Sequence, residues 1–389
     1  MHIITLSLLV ARRTQGRSSL SARGLFALAG LTALLAFPCQ LIAANQPDTI
    51  RIAGTISYAN GKASLTGVDY VIENQGWLRS ELAKRGIKFE WYPVASSAVG
   101  PLINEAFANH TIQFGGYGEL PAIILNGNGA SDTTRLLVPS ASSDAYLVVP
   151  VDSTAKSIED LKGQRLSINK GRPWELPLLR LLDAKGLTYN DFQIYNLNSE
   201  AGTVALATKN VDGLFTMSAY QLEDKGVGKI IWSTKQAPLS WKMGMGLWGA
   251  KDFIDQHPDL TQLVVTAYLK ATYWASLDEN REAIIHIGTN NGTSESVVRR
   301  GYDDPSLTWK QRWSPLFTKD LYDHYQVDIG YAVDKKLIRK PIDVNELLDN
   351  RFVTQALQDL QLQNYWSDST QKAAAQTPPT TTPLAGSAP

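Results

Sequence analysis

The sequence predicts an α/β fold arranged as two lobes, and three observations carry that expectation. From Asp48 onward, short β-branched or aromatic runs alternate with helix-length amphipathic segments, the pattern of helices layered on a mostly parallel sheet. Strands crowd the first half of the chain and helices fill the last third. Two polar, proline-bearing breaks, Pro139–Asp144 and Ala237–Trp241, stand where a chain threading two lobes would cross between them.

In order along the chain, strands are expected at Ile50–Gly54, Lys88–Tyr92, Ile112–Gly116, Arg135–Val138 and Ala145–Val149. They continue at Arg165–Ile168, Asp191–Leu197, Gly213–Phe215, Lys229–Trp232 and Met243–Trp248. Helices are expected to begin near Val71, Val99, Leu120, Ser157, Trp174, Ser199, Ser218 and Phe253. Pro258–Asn280 places Leu260, Leu263, Val264, Ala267, Tyr268, Ala271 and Trp274 on one helical face, and the remainder to Leu362 reads as helices and loops. The two breaks divide the body into residues 45–139 and 241–368 in one lobe and 140–240 in the other.

At 389 residues with 44% hydrophobic content, the chain can bury sizeable cores. Its formal charge balance depends on Arg12, Arg13, Arg17 and Arg23; without those four the body is mildly acidic and has no basic stripe, which argues against a nucleic-acid partner. These arginines precede an uncharged, Leu- and Ala-rich run from Gly24 to Ala44, and residues 1–44 therefore read as a signal peptide cleaved near Ala44. The single cysteine, Cys39, falls inside that leader, so the exported chain would hold no disulfide, thiolate metal site or cysteine nucleophile. Residues 369–389, rich in Ala, Pro, Thr and Ser, read as a disordered tail.

Two turns point to chemistry. Phe114-Gly115-Gly116-Tyr117-Gly118-Glu119-Leu120-Pro121 and Asn169-Lys170-Gly171-Arg172-Pro173-Trp174 each follow an apolar β-like run and open a helix-like one. A helix that starts at such a turn leaves its first backbone N–H groups free, and two of these turns suggest a cleft that grips a small anion. Other constellations are weaker. Gly244-Met245-Gly246-Leu247-Trp248-Gly249 matches G-x-G-x-x-G, but its alternating apolar residues make it a strand rather than a nucleotide loop, and no cofactor is expected. Five histidines without ligand spacing give no reason to expect a metal, and no G-x-S-x-G elbow is present.

The run from Lys156 to Gly171, KSIEDLKGQRLSINKG, resembles the segment "SxxDLKGKxVAxxKGS" of ABC-transporter solute-binding proteins of the aliphatic sulfonate, taurine and nitrate group. Ile112–Leu120 is similar to that family's "DFGxxGExP" loop, Leu182–Leu187 to "LxKAGL", Val204–Phe215 to "AxxxGxVDA", and Lys336–Ile342 to "xGLIxxPI". The ordered set spans Ile50 to Leu348. The resemblance implies a periplasmic-binding-protein fold of type II, two α/β lobes joined by a two-segment hinge. It also implies a periplasmic, monomeric, non-enzymatic protein that hands a small organic anion to an ABC permease and ATPase in the inner membrane.

A sulfonate is a permanent anion with three acceptor oxygens, which backbone N–H groups and hydroxyls can bind. On the family's pattern four loops face it: Thr55, Ser57 and Tyr58 after the first strand; Tyr117, Gly118 and Glu119; Lys170, Gly171, Arg172 and Trp174; and Thr216 with Ser218. Arg172 departs from the family, where small hydroxyl residues follow the glycine of "KGS", and would add a bidentate clamp. The turn at Thr216–Tyr220 departs as well, lacking the usual aromatic and acidic pair. Trp174, Trp241, Trp248, Trp309 and Trp313 are the tryptophans placed to reach the cleft, and two or more there would mean a ligand larger or flatter than taurine. Nitrate, a sulfate ester, a thiamine-precursor pyrimidine, a sensor role, or an enzyme on the same scaffold remain as alternatives.

Overall fold

The computed structural model describes residues 46–59, 62–95, 98–129 and 133–367; the expected leader, with Cys39, and the expected tail lie outside the described residues. The strands are β1 (Thr49–Thr55), β2 (Ser57–Ala59), β3 (Lys62–Ser64), β4 (Lys88–Val94), β5 (Phe114–Gly118), β6 (Thr134–Ser143), β7 (Tyr146–Pro150), β8 (Arg165–Ile168), β9 (Gln193–Asn196), β10 (Gly213–Thr216), β11 (Gly228–Ser233) and β12 (Met243–Ala250). Ten of them answer the ten expected strands; the small β2–β3 hairpin was not foreseen. They form two five-stranded sheets, ordered β4-β1-β5-β12-β6 and β11-β7-β10-β8-β9.

The sheets are mixed rather than mostly parallel. β1 pairs parallel with β4 and β5, but β12 runs antiparallel to both β5 and β6. In the second sheet β8 is parallel to β9 and β10, while β7 is antiparallel to β10 and β11. The reason is the threading. β7 and β12 are the strands by which the chain enters each sheet from the other, so they start at the end where their neighbours finish. β6 runs through Pro139 to Ser143, further than expected, because it is an edge strand and an edge tolerates a residue with no N–H to give.

Two helix expectations change. The helix near Val71 is two, Gly67–Gln75 and Trp77–Ala83, divided at Gly76, whose φ of 65° ends one and starts the other. At Ser157 only a short turn forms over Glu159–Leu161, because the Asp160 carboxylate takes the N–H groups of Lys156 and Ser157 at 2.8 and 3.0 Å. The long helix Pro258–Ser276 buries Leu260, Val264, Ala267, Ala271 and Ala275 and packs against the first sheet's core and the helices Gly67–Gln75 and Arg351–Asp359. A separate core packs against the second sheet and includes Leu147, Leu166, Ile168, Leu178 and Phe215.

The chain passes between the sheets at residues 144–145 and again at 234–242. Buried Lys242 ties the two passages: its Nζ lies 2.7 Å from Asp304 Oδ2 and 3.6 Å from Asp144 Oδ1, and Thr234 Oγ1 donates to Asp144 at 2.7 Å. Two carboxylates around one buried ammonium, one of them held by Thr234, leave its charge well compensated.

Candidate functional site

The turn after β8 satisfies most of its own backbone. Gly171, at φ 76°, donates its N–H to the buried carboxylate of Glu175, which also accepts from the Tyr189 hydroxyl at 3.0 Å. Lys170 N–H goes to Asn196 Oδ1 at 3.0 Å, and the Lys170 ammonium sits over the Tyr189 ring. The Gly171 N–H in this turn is therefore taken by the first residue of the helix Glu175–Ala184 and is not free for a ligand.

Arg172 is different. It is 7% exposed, and its Nε and Nη1 are fully buried without a partner. Its guanidinium carbon lies 4.8 Å from the Trp174 ring, and burial with no carboxylate beside it pulls its pKa down to about 10. Its stem runs over the first turn of the helix Val99–Ala108, with Cδ 3.7 Å from where a Cβ on Gly100 would stand. That helix has no side-chain cap at Ala98, so its opening N–H groups and the guanidinium share one neighbourhood.

The two glycine-bearing turns meet. A Cβ on Gly118 would overlap Pro173 and come within 3.2 Å of Met245 sulfur, so only glycine lets the second sheet's turn seat on the end of β5. The strand's alternation then sorts the neighbours. Tyr117 points to the opposite face, its ring 6.2 Å from Phe107 and 6.1 Å from Trp248 in the core, away from the Pro173 contact. Gly116 shares Gly118's face and opens on a cavity of about 200 Å³, lined by Val138, Met245, Leu247, Tyr268, Arg312 and Trp313 among others.

Glu119 turns inward. Burial alone would raise its pKa, but the His324 ring, 2.7 Å from Oε2, and the Gly244 backbone hold it below the ordinary carboxylate range. His324 is opposed by burial and raised by Glu119 and Asp328, reaching about 9. Asp328, pushed up to about 8 by burial and by Glu119, accepts from Arg180 Nη2, while Arg180 Nη1 donates to the Ser240 carbonyl. Sequence reasoning missed this cluster. Its only local signal is the one-turn spacing of His324 and Asp328 on the helix Lys319–Asp334. Ligand atoms of Glu119, His324 and Asp328 lie within 4.8 Å of one another and could hold a divalent ion. With His324 protonated, however, the Glu119 carboxylate is already balanced by His324, and Asp328 is already bound to Arg180.

The remaining expected residues are spread around this centre. Thr55 ends β1 half-buried, and Ser57 and Tyr58 form β2. Thr216 is buried, its hydroxyl accepting the Ser218 N–H at 3.1 Å, and Ser218 precedes the helix Ala219–Asp224. Among the tryptophans, Trp248 is core, Trp309 donates to the Ala275 carbonyl, Trp241 packs on Trp232, Trp174 underlies Arg172, and Trp313 lines the cavity.

Comparison with known proteins agrees with this architecture. A family model described as NMT1/THI5 like matches residues 129–281. The chain is 46% identical to the periplasmic sulfonate-binding protein SsuA of Methylobacillus flagellatus KT, over 82% of this chain and 96% of that one, with a TM-score of 0.71. The chain belongs to the periplasmic sulfonate-binding family of ABC transporters. A Bacillus subtilis protein named for binding aliphatic sulfonates is 24% identical over 293 residues, 74% of this chain and 84% of that protein. The desulfurization enzyme DszB shares the fold, with 16% identity, a TM-score of 0.61 and coverage of 81% and 100%. Within this family the type II periplasmic-binding fold is the frame in which the Gly118–Pro173 contact brings the two sheets together.

Proposed function

We propose that the chain is the periplasmic solute-binding component of an ABC importer and holds a sulfonate between two closing lobes. The observation that carries the reading is Arg172: a buried guanidinium whose Nε and Nη1 find no partner and no carboxylate among the described residues, set over the start of the helix Val99–Ala108. Leaving a buried donor unmade costs about 1–3 kcal/mol, and more for a charged group. A sulfonate supplies the missing charge and three acceptors at once. Each sheet with its helices forms one lobe, and closure turns on residues 144–145 and 234–242, as the membership of the family supports. The protein works as a monomer that meets a permease and ATPase at the inner membrane. It is a binder rather than an enzyme: the sole cysteine lies at position 39, and His324, close to the junction, is engaged by Glu119.

A thermal-shift series over ethanesulfonate, a sulfate ester, nitrate and a pyrimidine, with each mixture checked for turnover, tests this. A ligand at a hundred times its dissociation constant adds about 2.7 kcal/mol. Stabilisation by a sulfonate that is recovered unchanged is the expected result. Stabilisation by none of the sulfonates, or conversion of one, overturns the proposal.

A further inference from the structure

The cavity at Gly116 gives the ligand a second half, and we infer that the sulfonate carries a compact apolar body of about the size of a benzene ring. This rests on the sulfonate reading above and deepens it. The cavity and the Arg172 turn share a neighbour: Met245 lines the cavity, and its sulfur reaches within 3.2 Å of the Cβ position on Gly118, the glycine on which Pro173 sits. Gly116 and Gly118 are two apart on one face of β5, so the cavity opens one step along the strand from where Pro173 sits, and a ligand reaching both would run along that face.

The walls decide the class. Val138, Met245, Leu247 and Trp313 are apolar, and no carboxylate is among the described residues lining the cavity. Asp69 stands behind the wall, its Oδ1 taken by the Tyr268 hydroxyl at 2.8 Å and its Oδ2 turned towards Gly54. An ammonium like that of taurine would lose its water there and gain no counter-charge. Arg312, the cation among the described lining residues, donates Nη2 to the Tyr302 carbonyl at 2.6 Å, so that edge of its guanidinium is already engaged within the chain. The volume of about 200 Å³ is somewhat above the roughly 150 Å³ of an apolar cavity that takes up benzene.

Calorimetry on the full mature chain with benzenesulfonate, ethanesulfonate and taurine tests the inference. Benzenesulfonate should bind about tenfold to a hundredfold more tightly than the other two, the factor for burying a ring-sized side chain. A Cβ at Gly116 meets nothing within 4 Å, so Gly116→Val would project into the cavity without a clash. It should weaken benzenesulfonate at least ten times more than ethanesulfonate, and Gly116→Ala should do the same to a smaller degree if the valine variant does not fold. Equal affinities for the three ligands, or equal losses in either variant, overturn the inference and leave the sulfonate reading standing. Absence of binding by all three ligands overturns both.

Discussion

Arg172 and Arg180 are equally buried, each 7% exposed, one in the turn before the helix Glu175–Ala184 and the other within that helix. Arg180 meets Asp328 and the Ser240 carbonyl; Arg172 meets the face of Trp174 and no carboxylate. A charge removed from water persists only with a partner, and one of these two partners is supplied by the chain. The contrast separates two jobs. Arg180 joins the helix Glu175–Ala184 to the helix Lys319–Asp334 and the second passage between the sheets, and Arg172 waits for an anion.

The largest test of that contrast is stability without ligand. Asp328→Ala strips Arg180 of its buried carboxyl partner and should cost about 3–5 kcal/mol in chemical denaturation above about pH 8, where Asp328 is ionised, the range for breaking a buried pair. Arg172→Ala removes an uncompensated buried cation and should cost nothing or stabilise. Similar losses in both variants would erase the distinction.

The pH dependence of the Arg180 side is the next largest effect. His324 titrates at about 9 in the folded chain against an ordinary 6.5, so its contribution is complete below about pH 6.5 and is lost as pH rises to about 9. Asp328, raised from 3.8 to about 8, makes the folded state hold an extra proton between those values and so adds a fall in the same direction. With both groups, wild-type stability should drop by something on the order of 4–5 kcal/mol between pH 6.5 and 9, and His324→Gln should remove about half of that drop. An unchanged slope in the variant would remove His324 from the cluster's energetics.

On the Arg172 side, Gly118→Ala places a methyl against Pro173. The cost of such overpacking, about 1–3 kcal/mol, should fall on the closed form and weaken ligand affinity by the same amount. Small-angle scattering with saturating sulfonate should show less compaction than wild type; full compaction at unchanged affinity would mean that closure does not use this contact.

How much of this was legible follows from the residues involved. Strand positions were readable because β-branched and aromatic runs are local, and Arg172 stood out because a long cation replaced a small hydroxyl. The β2–β3 hairpin had a signal that went unused, Asn60-Gly61 between two short runs. Tyr117 was expected in the loop after β5; the strand instead extends to Gly118 and its alternation carries the Tyr117 ring to the core, while the residue still borders the cavity at Gly116. The cluster of Glu119, Arg180, His324 and Asp328 could not be read, since its members meet only after two helices and the chain's return passage are in place.

The most direct measurement is calorimetry of one sulfonate on wild type, Arg172→Ala and Arg172→Lys. Arg172→Ala should lose roughly 1.5–3 kcal/mol of binding, the worth of hydrogen bonds to a charged group, with its unfolding midpoint no lower than wild type. Arg172→Lys should recover part of that loss, because a point charge cannot reproduce the guanidinium fork. Wild-type affinity in Arg172→Ala would contradict the account and leave the buried guanidinium without a ligand to explain it.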